Sequence, residues 1–143
     1  MTQPPLHVVN INGLALRFFP AAPNHATLLA VMCGDKARHL PWCSIADLAA
    51  IAGVGLGSKR LAMIRRTIAP VHSIASEGGL VALIPPNFVA PVLDALGLIP
   101  GTPAWLAVAR AVGTVSEEYL PEIGNFLRWT IENYGSDASL GGG

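Results

Sequence analysis

The residues of this sequence most suited to chemistry are glycines and cations that stand close together. Three alternating glycines, Gly53, Gly55 and Gly57, lie directly before a basic segment. A Walker loop needs glycine, four residues, then Gly-Lys-Ser or Gly-Lys-Thr, and a dinucleotide fingerprint must follow a strand. Here the order is Gly-Ser-Lys and a predicted helix precedes the run. A turn between two helices is therefore the better interpretation.

Two short helices joined by a glycine-containing turn have the outline of a helix-turn-helix motif. Ser44 is predicted to cap a helix over residues 45–52, with Asp47 three positions on, and Ser58 to cap one over 59–69. The second helix of such a motif enters the major groove with its N-terminus first. The candidate DNA-binding residues are Ser58, Lys59, Arg60, Arg65 and Arg66. The alternative is that they form a solvated helix face.

The charge distribution favours a local basic patch. The formal net charge is zero, but residues 1–100 sum to +3 and residues 101–143 to −3. A basic patch can bind phosphate or an acidic partner whatever the net charge of the chain. The low total charge argues against DNA binding and favours a protein partner, since dedicated DNA-binding domains are usually basic overall.

Metal binding and catalysis find little support. Cys33, His39 and Cys43, with His25 or His72 as a fourth ligand, are spaced more widely than the ligands of structural zinc sites. Cys43 is instead predicted to be a small buried residue.

No nucleophile has a recognisable base beside it, and the carboxylates Asp47, Glu77 and Asp94 are isolated. His7 and His72 fall in predicted strands, where a hydrogen-bonded structural histidine is the expectation. We therefore predict a non-enzymatic protein without cofactor or metal.

The predicted elements give an α+β fold, in which small hairpins or a small sheet pack on the helix-turn-helix-like pair. Asn12-Gly13 and Ser76-Glu77-Gly78-Gly79 each lie between apolar runs and predict hairpins. Residues 20–38 stay unassigned, residues 39–43 are predicted to be a strand, and Asn87 is predicted to cap a helix ending at Leu96. No internal repeat is visible.

A boundary is predicted at Pro100-Gly101-Thr102-Pro103. The predicted domains are an α+β domain over 1–100, a helical C-terminal extension over 101–135 and a flexible tail over 136–143. The extension is expected to hold helices near 103–112 and 116–134, the second capped by Ser116. Its last helix could pack on the main domain or pair with a second copy to form a homodimer. Candidate protein-interaction residues are Trp105, Trp129 and Tyr134.

Composition limits the class of protein. Hydrophobic residues make up 52% of the chain and charged residues 13%, which excludes disorder over most of its length. No apolar run approaches the roughly 20 residues that span a bilayer, and no signal peptide is recognisable at the N-terminus. Two cysteines suit a reducing compartment. The expectation is a cytoplasmic protein that does not bind membranes.

Two motifs together resemble a known family. The segment Trp42-Cys43-Ser44-Ile45-Ala46-Asp47-Leu48-Ala49, followed by Gly53, is similar to the core of the Bro-N domain of baculovirus repeated-ORF proteins and phage antirepressors. The segment Glu77-Gly78-Gly79-Leu80-Val81-Ala82-Leu83-Ile84 resembles the hairpin of that domain, with Val81 where the family usually has tyrosine. The resemblance covers about residues 7–90.

The resemblance implies a phage- or prophage-type regulatory protein of the antirepressor class. Such a protein would act in transcription regulation by binding DNA, or a repressor or host regulatory protein, without catalysis. Trp42, Asp47 and Gly53 would then have folding roles. The alternative function is a phage-type inhibitor that binds a host protein and has no nucleic-acid role.

Overall fold

A computed structural model describes residues 4–20, 23–33 and 35–119 of the chain. The described residues form a five-stranded antiparallel sheet with helices on both faces, which confirms a mixed α+β fold. The strands are β1 (His7–Ile11), β2 (Leu14–Phe19), β3 (Trp42–Ser44), β4 (His72–Ser76) and β5 (Gly79–Ile84). The helices are α1 (Pro23–Cys33), α2 (Ile45–Ala52), α3 (Ser58–Thr67), α4 (Val89–Ala95) and α5 (Pro103–Tyr119). Short 3-10 helices cover Asp35–His39 and Pro86–Phe88.

Both predicted hairpins are confirmed. In the β1–β2 turn Asn12 has φ 54° and Gly13 φ 85°, the left-handed pair that a type I′ turn requires. The Gly13 amide also donates to Asn10 Oδ1 at 3.0 Å. In the β4–β5 hairpin the left-handed residue is Gly79, at φ 113°. The sheet order is β1-β2-β3-β5-β4, so the second strand of each hairpin lies beside β3.

The two hairpins have the same register but face opposite ways. An offset of 65 residues relates the pair His7–Phe18 to the pair His72–Leu83. Phe18 belongs to the main hydrophobic core, whereas Leu83 belongs to a smaller cluster on the other face. β2 and β5 lie on either side of β3, and both run antiparallel to it. A rotation of about 180° around an axis along β3 therefore relates one hairpin to the other.

The main core fills one face of the sheet. There α2 packs on β2, β5 and α4, and α5 packs on β1 and α4. Trp105, Val108 and Val112 of α5 are buried in this core, so residues 103–119 share it with the elements before residue 100. The other face carries the smaller cluster, made by Phe19, Leu40, Trp42, Val81 and Leu83.

Ser44 caps α2 as predicted, with its hydroxyl accepting from the Asp47 amide at 3.3 Å. Gly53 ends that helix in the left-handed conformation at φ 77°. The predicted cap of α3 was wrong by one residue. Gly57 occupies the N-cap position without a side-chain hydrogen bond, and Ser58 is the first helical residue.

Further boundaries differ from prediction. The strand predicted over residues 39–43 is β3 at Trp42–Ser44, and His39 belongs to the 3-10 helix before it. Residues 23–33 of the unassigned segment form α1. Asn87 lies inside the 3-10 helix and does not cap a helix, since α4 begins at Val89. Ser116 is buried within the single helix α5 and is no cap. The rest of the predicted extension and tail, with Trp129 and Tyr134, lies outside the described residues. Within the described ranges, no helix is both long and apolar enough to cross a membrane.

Candidate functional site

The basic face of α3 consists of three exposed cations, Lys59, Arg65 and Arg66. No described residue forms a hydrogen bond or ion pair with their side chains. Residues 48–76 contain four cations and no Asp or Glu. The charge of this surface is therefore not neutralised by its own sequence neighbours.

Arg60 differs from the other cations of the helix. It is half-buried, and its Nη1 donates to the backbone carbonyl of Gly55 at 2.6 Å. This bond ties the first turn of α3 to the glycine loop before it. Arg60 therefore positions the loop, while its remaining N–H groups keep their donor capacity.

The glycine loop before α3 is open. The helix N-cap, Gly57, has an extended conformation at φ −78° and ψ 164°, and its carbonyl accepts from the Leu61 amide at 3.0 Å. A Cβ added at Gly55 or Gly57 would meet no atom within 4 Å, and neither residue has a positive φ. Neither glycine is needed for the conformation of this chain, and the loop leaves room for close approach of another molecule.

Few side chains join α3 to the rest of the protein. Ile64 is its one fully buried residue, with Leu61, Met63 and Ile68 partly buried against the main core. Helix α2 packs more extensively on β2, β5 and α4 than on α3. The mutual packing expected of a helix-turn-helix pair thus remains a prediction, although Ser58, Lys59, Arg60, Arg65 and Arg66 do lie together on α3.

Sequence reasoning missed the ion pair between Arg17 and Asp47. Arg17 Nε and Nη2 donate to the two carboxylate oxygens at 2.9 Å each, and the Arg17 backbone amide donates to Oδ2 at 2.9 Å. This hydrogen bonding raises the pKa of the Arg17 guanidinium. The pair fixes α2 to β2 at the point where β3 ends, which is a structural role.

A ring cluster formed by His25, Trp42 and His72 was also missed. The two imidazoles stack with centroids 4.2 Å apart, and Trp42 meets His25 at 5.5 Å and His72 at 4.7 Å, edge to face. His72 is 6% exposed, yet its Nε2 has no hydrogen-bond partner among the described residues. The expectation of a fully hydrogen-bonded structural histidine was thus wrong at this atom.

The other strand histidine, His7, lies on the main face, with its Nε2 atom 3.7 Å from Oε2 of Glu118.

A cleft of about 330 Å³ lies between α4 and α5. Its lining residues are Ala90, Pro91, Asp94, Pro100 and Trp105. Trp105, one of the predicted protein-interaction residues, is 2% exposed, so its ring forms a wall of the cleft and not a protruding contact. Such a volume is at the lower end of the range for pockets that hold a small ligand.

No group of three or more His, Cys, Asp or Glu residues within the described ranges is placed to hold a metal ion. Cys43 is buried against the main core, while His39 is exposed. Burial, helped by the charge of Asp47, raises the pKa of the Cys43 thiol well above its usual value. A thiol of this kind is a poor nucleophile and a poor metal ligand.

Comparison with known proteins adds no further information about the site. No protein-family model, no curated protein and no solved structure matches this chain significantly.

Proposed function

We propose that this protein is a non-catalytic regulatory protein of the antirepressor class that binds double-stranded DNA through the basic face of α3. One observation carries the proposal: Lys59, Arg65 and Arg66 are exposed and have no partner within the described part of the chain. Cations that stabilise no internal contact are free to neutralise phosphates.

The surroundings of these cations support the same interpretation. The open loop at Gly55 and Gly57 leaves the N-terminal end of α3 accessible, and that end carries the positive pole of the helix dipole. Arg65 and Arg66 stand in the last turn of the helix and Lys59 in the first. The cations therefore span the length of α3, so more than one phosphate can be contacted at a time.

The test is a fluorescence-anisotropy titration of the full chain with random-sequence duplex DNA at ~50 mM and ~200 mM salt. Three phosphate contacts predict a slope of about −3 for log affinity against log salt concentration. The Lys59→Ala/Arg66→Ala double variant should weaken binding at low salt about tenfold or more and reduce the slope by about 2.

Arg110→Ala is the matched control, because Arg110 is an exposed cation on α5, outside the basic face. It should bind DNA as the wild-type protein does. Absence of DNA binding at low salt, or equal losses in the α3 variant and the control, would refute the proposal. Binding of a repressor protein that is weakened by the α3 substitutions, with DNA left unbound, would instead assign the basic face to a protein partner.

The cleft between α4 and α5 favours a second candidate function, inhibition of a host protein by direct binding. Its single carboxylate, Asp94, has no partner in the described part of the chain, and the other lining residues have apolar side chains. A partner protein captured by the wild-type chain but lost on Asp94→Lys, in a variant that keeps its fold, would support this function. The effect of salt separates the candidates, because an apolar contact depends on it far less than phosphate binding.

A further inference from the structure

The ring cluster on the smaller face of the sheet joins α1 to the strands. His25 is the residue of α1 that reaches it, Trp42 comes from β3 and His72 from β4. Apart from this cluster, α1 packs most extensively on the 3-10 helix that follows it, where Arg38 Nη1 donates to Thr27 Oγ1 at 3.1 Å. The stack of His25 on His72 is therefore a direct contact between α1 and the sheet, and Ala26 and Ala30 of the same helix are also buried.

No acidic residue in the described ranges forms an ion pair with these two histidines. β2, whose Phe19 belongs to the smaller cluster, carries Arg17, which lies 5.6 Å from the Phe19 ring and is paired with Asp47. The elements that supply the three rings, α1, β3 and β4, and the neighbouring β5 contain no Asp, Glu, Lys or Arg. Their other titratable residues are Cys33 and Cys43, and Cys43 lies in the main core on the opposite face. In the adjacent 3-10 helix Asp35 and Arg38 pair with each other at 3.0 Å, and His39 is exposed.

The geometry allows two neutral rings but opposes two charged ones. Stacked imidazoles 4.2 Å apart repel each other when both are protonated. A proton on Nε2 of His72 would also lie in a buried place without an acceptor. The Nδ1 atom of His25, in contrast, lies 3.1 Å from Asn24 Oδ1 on the exposed end of the helix.

We propose that the stacked pair of His25 and His72 is an acid-sensitive latch that holds α1 on the sheet at neutral pH and releases it on acidification. Release uncovers the ring of Trp42, which belongs to the smaller hydrophobic cluster. The proposal concerns a conformational change on the face opposite the main core and is independent of DNA binding by α3.

The pH range over which α1 is released follows from the pKa of His72. Burial, followed by the charge of His25, lowers the pKa of His72 to about 4, while a hydrogen bond with the Ser73 backbone acts in the opposite direction. In the released state the pKa returns to about 6.5. Because the closed state binds fewer protons, its advantage is full above pH 6.5 and is lost as pH falls toward 4. Between pH 7 and pH 5 the opening equilibrium should shift about twentyfold toward release.

Amide hydrogen exchange on the full chain, corrected for the intrinsic pH dependence of exchange, measures this opening. Peptides covering α1 should lose protection between pH 7 and pH 5 by about the twentyfold factor, while peptides from α2 and β5 stay protected. In the His72→Gln variant the α1 peptides should exchange equally at both pH values. His7→Gln is the matched control, since His7 occupies the equivalent hairpin position on the other face, and it should keep the wild-type response.

His25→Phe provides a second variant, which keeps a stacked ring but removes one charge. It should show a smaller pH response than the wild-type chain. Protection of α1 that does not change with pH would overturn the proposal. Opening of α1 and the sheet together would overturn it as well, and so would a wild-type response in His72→Gln.

Discussion

Replacement of Asp47 tests the most connected polar contact in the described structure. Its carboxylate accepts two bonds from the Arg17 guanidinium and one from the Arg17 backbone amide, each at 2.9 Å. The backbone bond follows from the sheet topology. β2 pairs with β3 only at Phe18 and Phe19, and the chain passes from β3 into α2 beside Arg17. The Asp47 carboxylate therefore accepts the hydrogen bond of the Arg17 amide in place of a strand partner.

The expected loss of stability follows from the partial burial of the Arg17–Asp47 pair. The side chains of Arg17 and Asp47 are 31% and 12% exposed. Removing one partner of a buried ion pair costs about 3–5 kcal/mol, whereas an exposed pair contributes about 1 kcal/mol or less. We expect Asp47→Ala to reduce the free energy of unfolding by about 3 kcal/mol, because it leaves both the guanidinium and the backbone amide of Arg17 without their acceptor. Asp47→Asn keeps one acceptor and should cost about 2 kcal/mol.

Urea unfolding followed by circular dichroism measures these losses, and Asp94→Asn is the matched control. Asp94 is an exposed carboxylate without a partner among the described residues, so its replacement should change stability by no more than about 0.5 kcal/mol. Arg17→Leu combined with Asp47→Ala completes a double-mutant cycle, with an expected coupling energy of about 2 kcal/mol. If Asp47→Asn is as harmless as Asp94→Asn, the assignment of Asp47 as the link between α2 and β2 is wrong.

Two further predictions concern stability and use the same urea assay. Gly13→Ala should destabilise the protein by about 1 kcal/mol, because Gly13 has φ 85°, whereas Gly55→Ala should cost nothing, since Gly55 has neither a positive φ nor an atom near its added Cβ. Equal effects of the two substitutions would contradict this reasoning. Ser116→Ala should stabilise the protein by about 1 kcal/mol, because the buried Ser116 hydroxyl has no partner in the described part of the chain and alanine favours the helix. A loss of stability would show that this hydroxyl is hydrogen-bonded.

The hairpins and the start of α2 were predictable because each depends on a local rule. Asn12-Gly13 supplies the positive φ values that the turn needs, and the Ser44 hydroxyl reaches an amide three residues on. Helix α1 escaped prediction because its sequence, Pro-Asn-His-Ala-Thr-Leu-Leu-Ala-Val-Met-Cys, has no polar face after its first turn. The break predicted in α5 before Ser116 is wrong because Ser116 is buried within the helix, where Val108 and Val112 pack into the main core before the predicted break and Val115 within it.

The polar contacts of the structure could not be predicted from local sequence. Arg17 and Asp47 are 30 positions apart, and their pairing depends on the length of β3. His25 meets His72 only because α1 lies over the smaller face of the sheet and reaches an edge strand. The cations of α3, by contrast, could be recognised from the sequence, since four of them fall within eight positions and no acid lies nearby. What they bind depends on the chemistry of the partner, which the titration with duplex DNA measures directly.

The half-turn relation between the hairpins explains how the two faces come to differ. It places His7 and His72 at equivalent positions, but the helices beside them are not equivalent. On the main face α5 brings the Glu118 carboxylate to 3.7 Å from the His7 ring. On the other face α1 brings a second imidazole to His72, which opposes protonation. The same strand position therefore faces a carboxylate on one side of the sheet and a second imidazole on the other. Meanwhile α3, which comes between the hairpins and buries Ile64 alone completely, leaves its cations outside both clusters. The repeated hairpin thus builds the scaffold, and the unrepeated helices α1 and α3 hold the features for which we propose function.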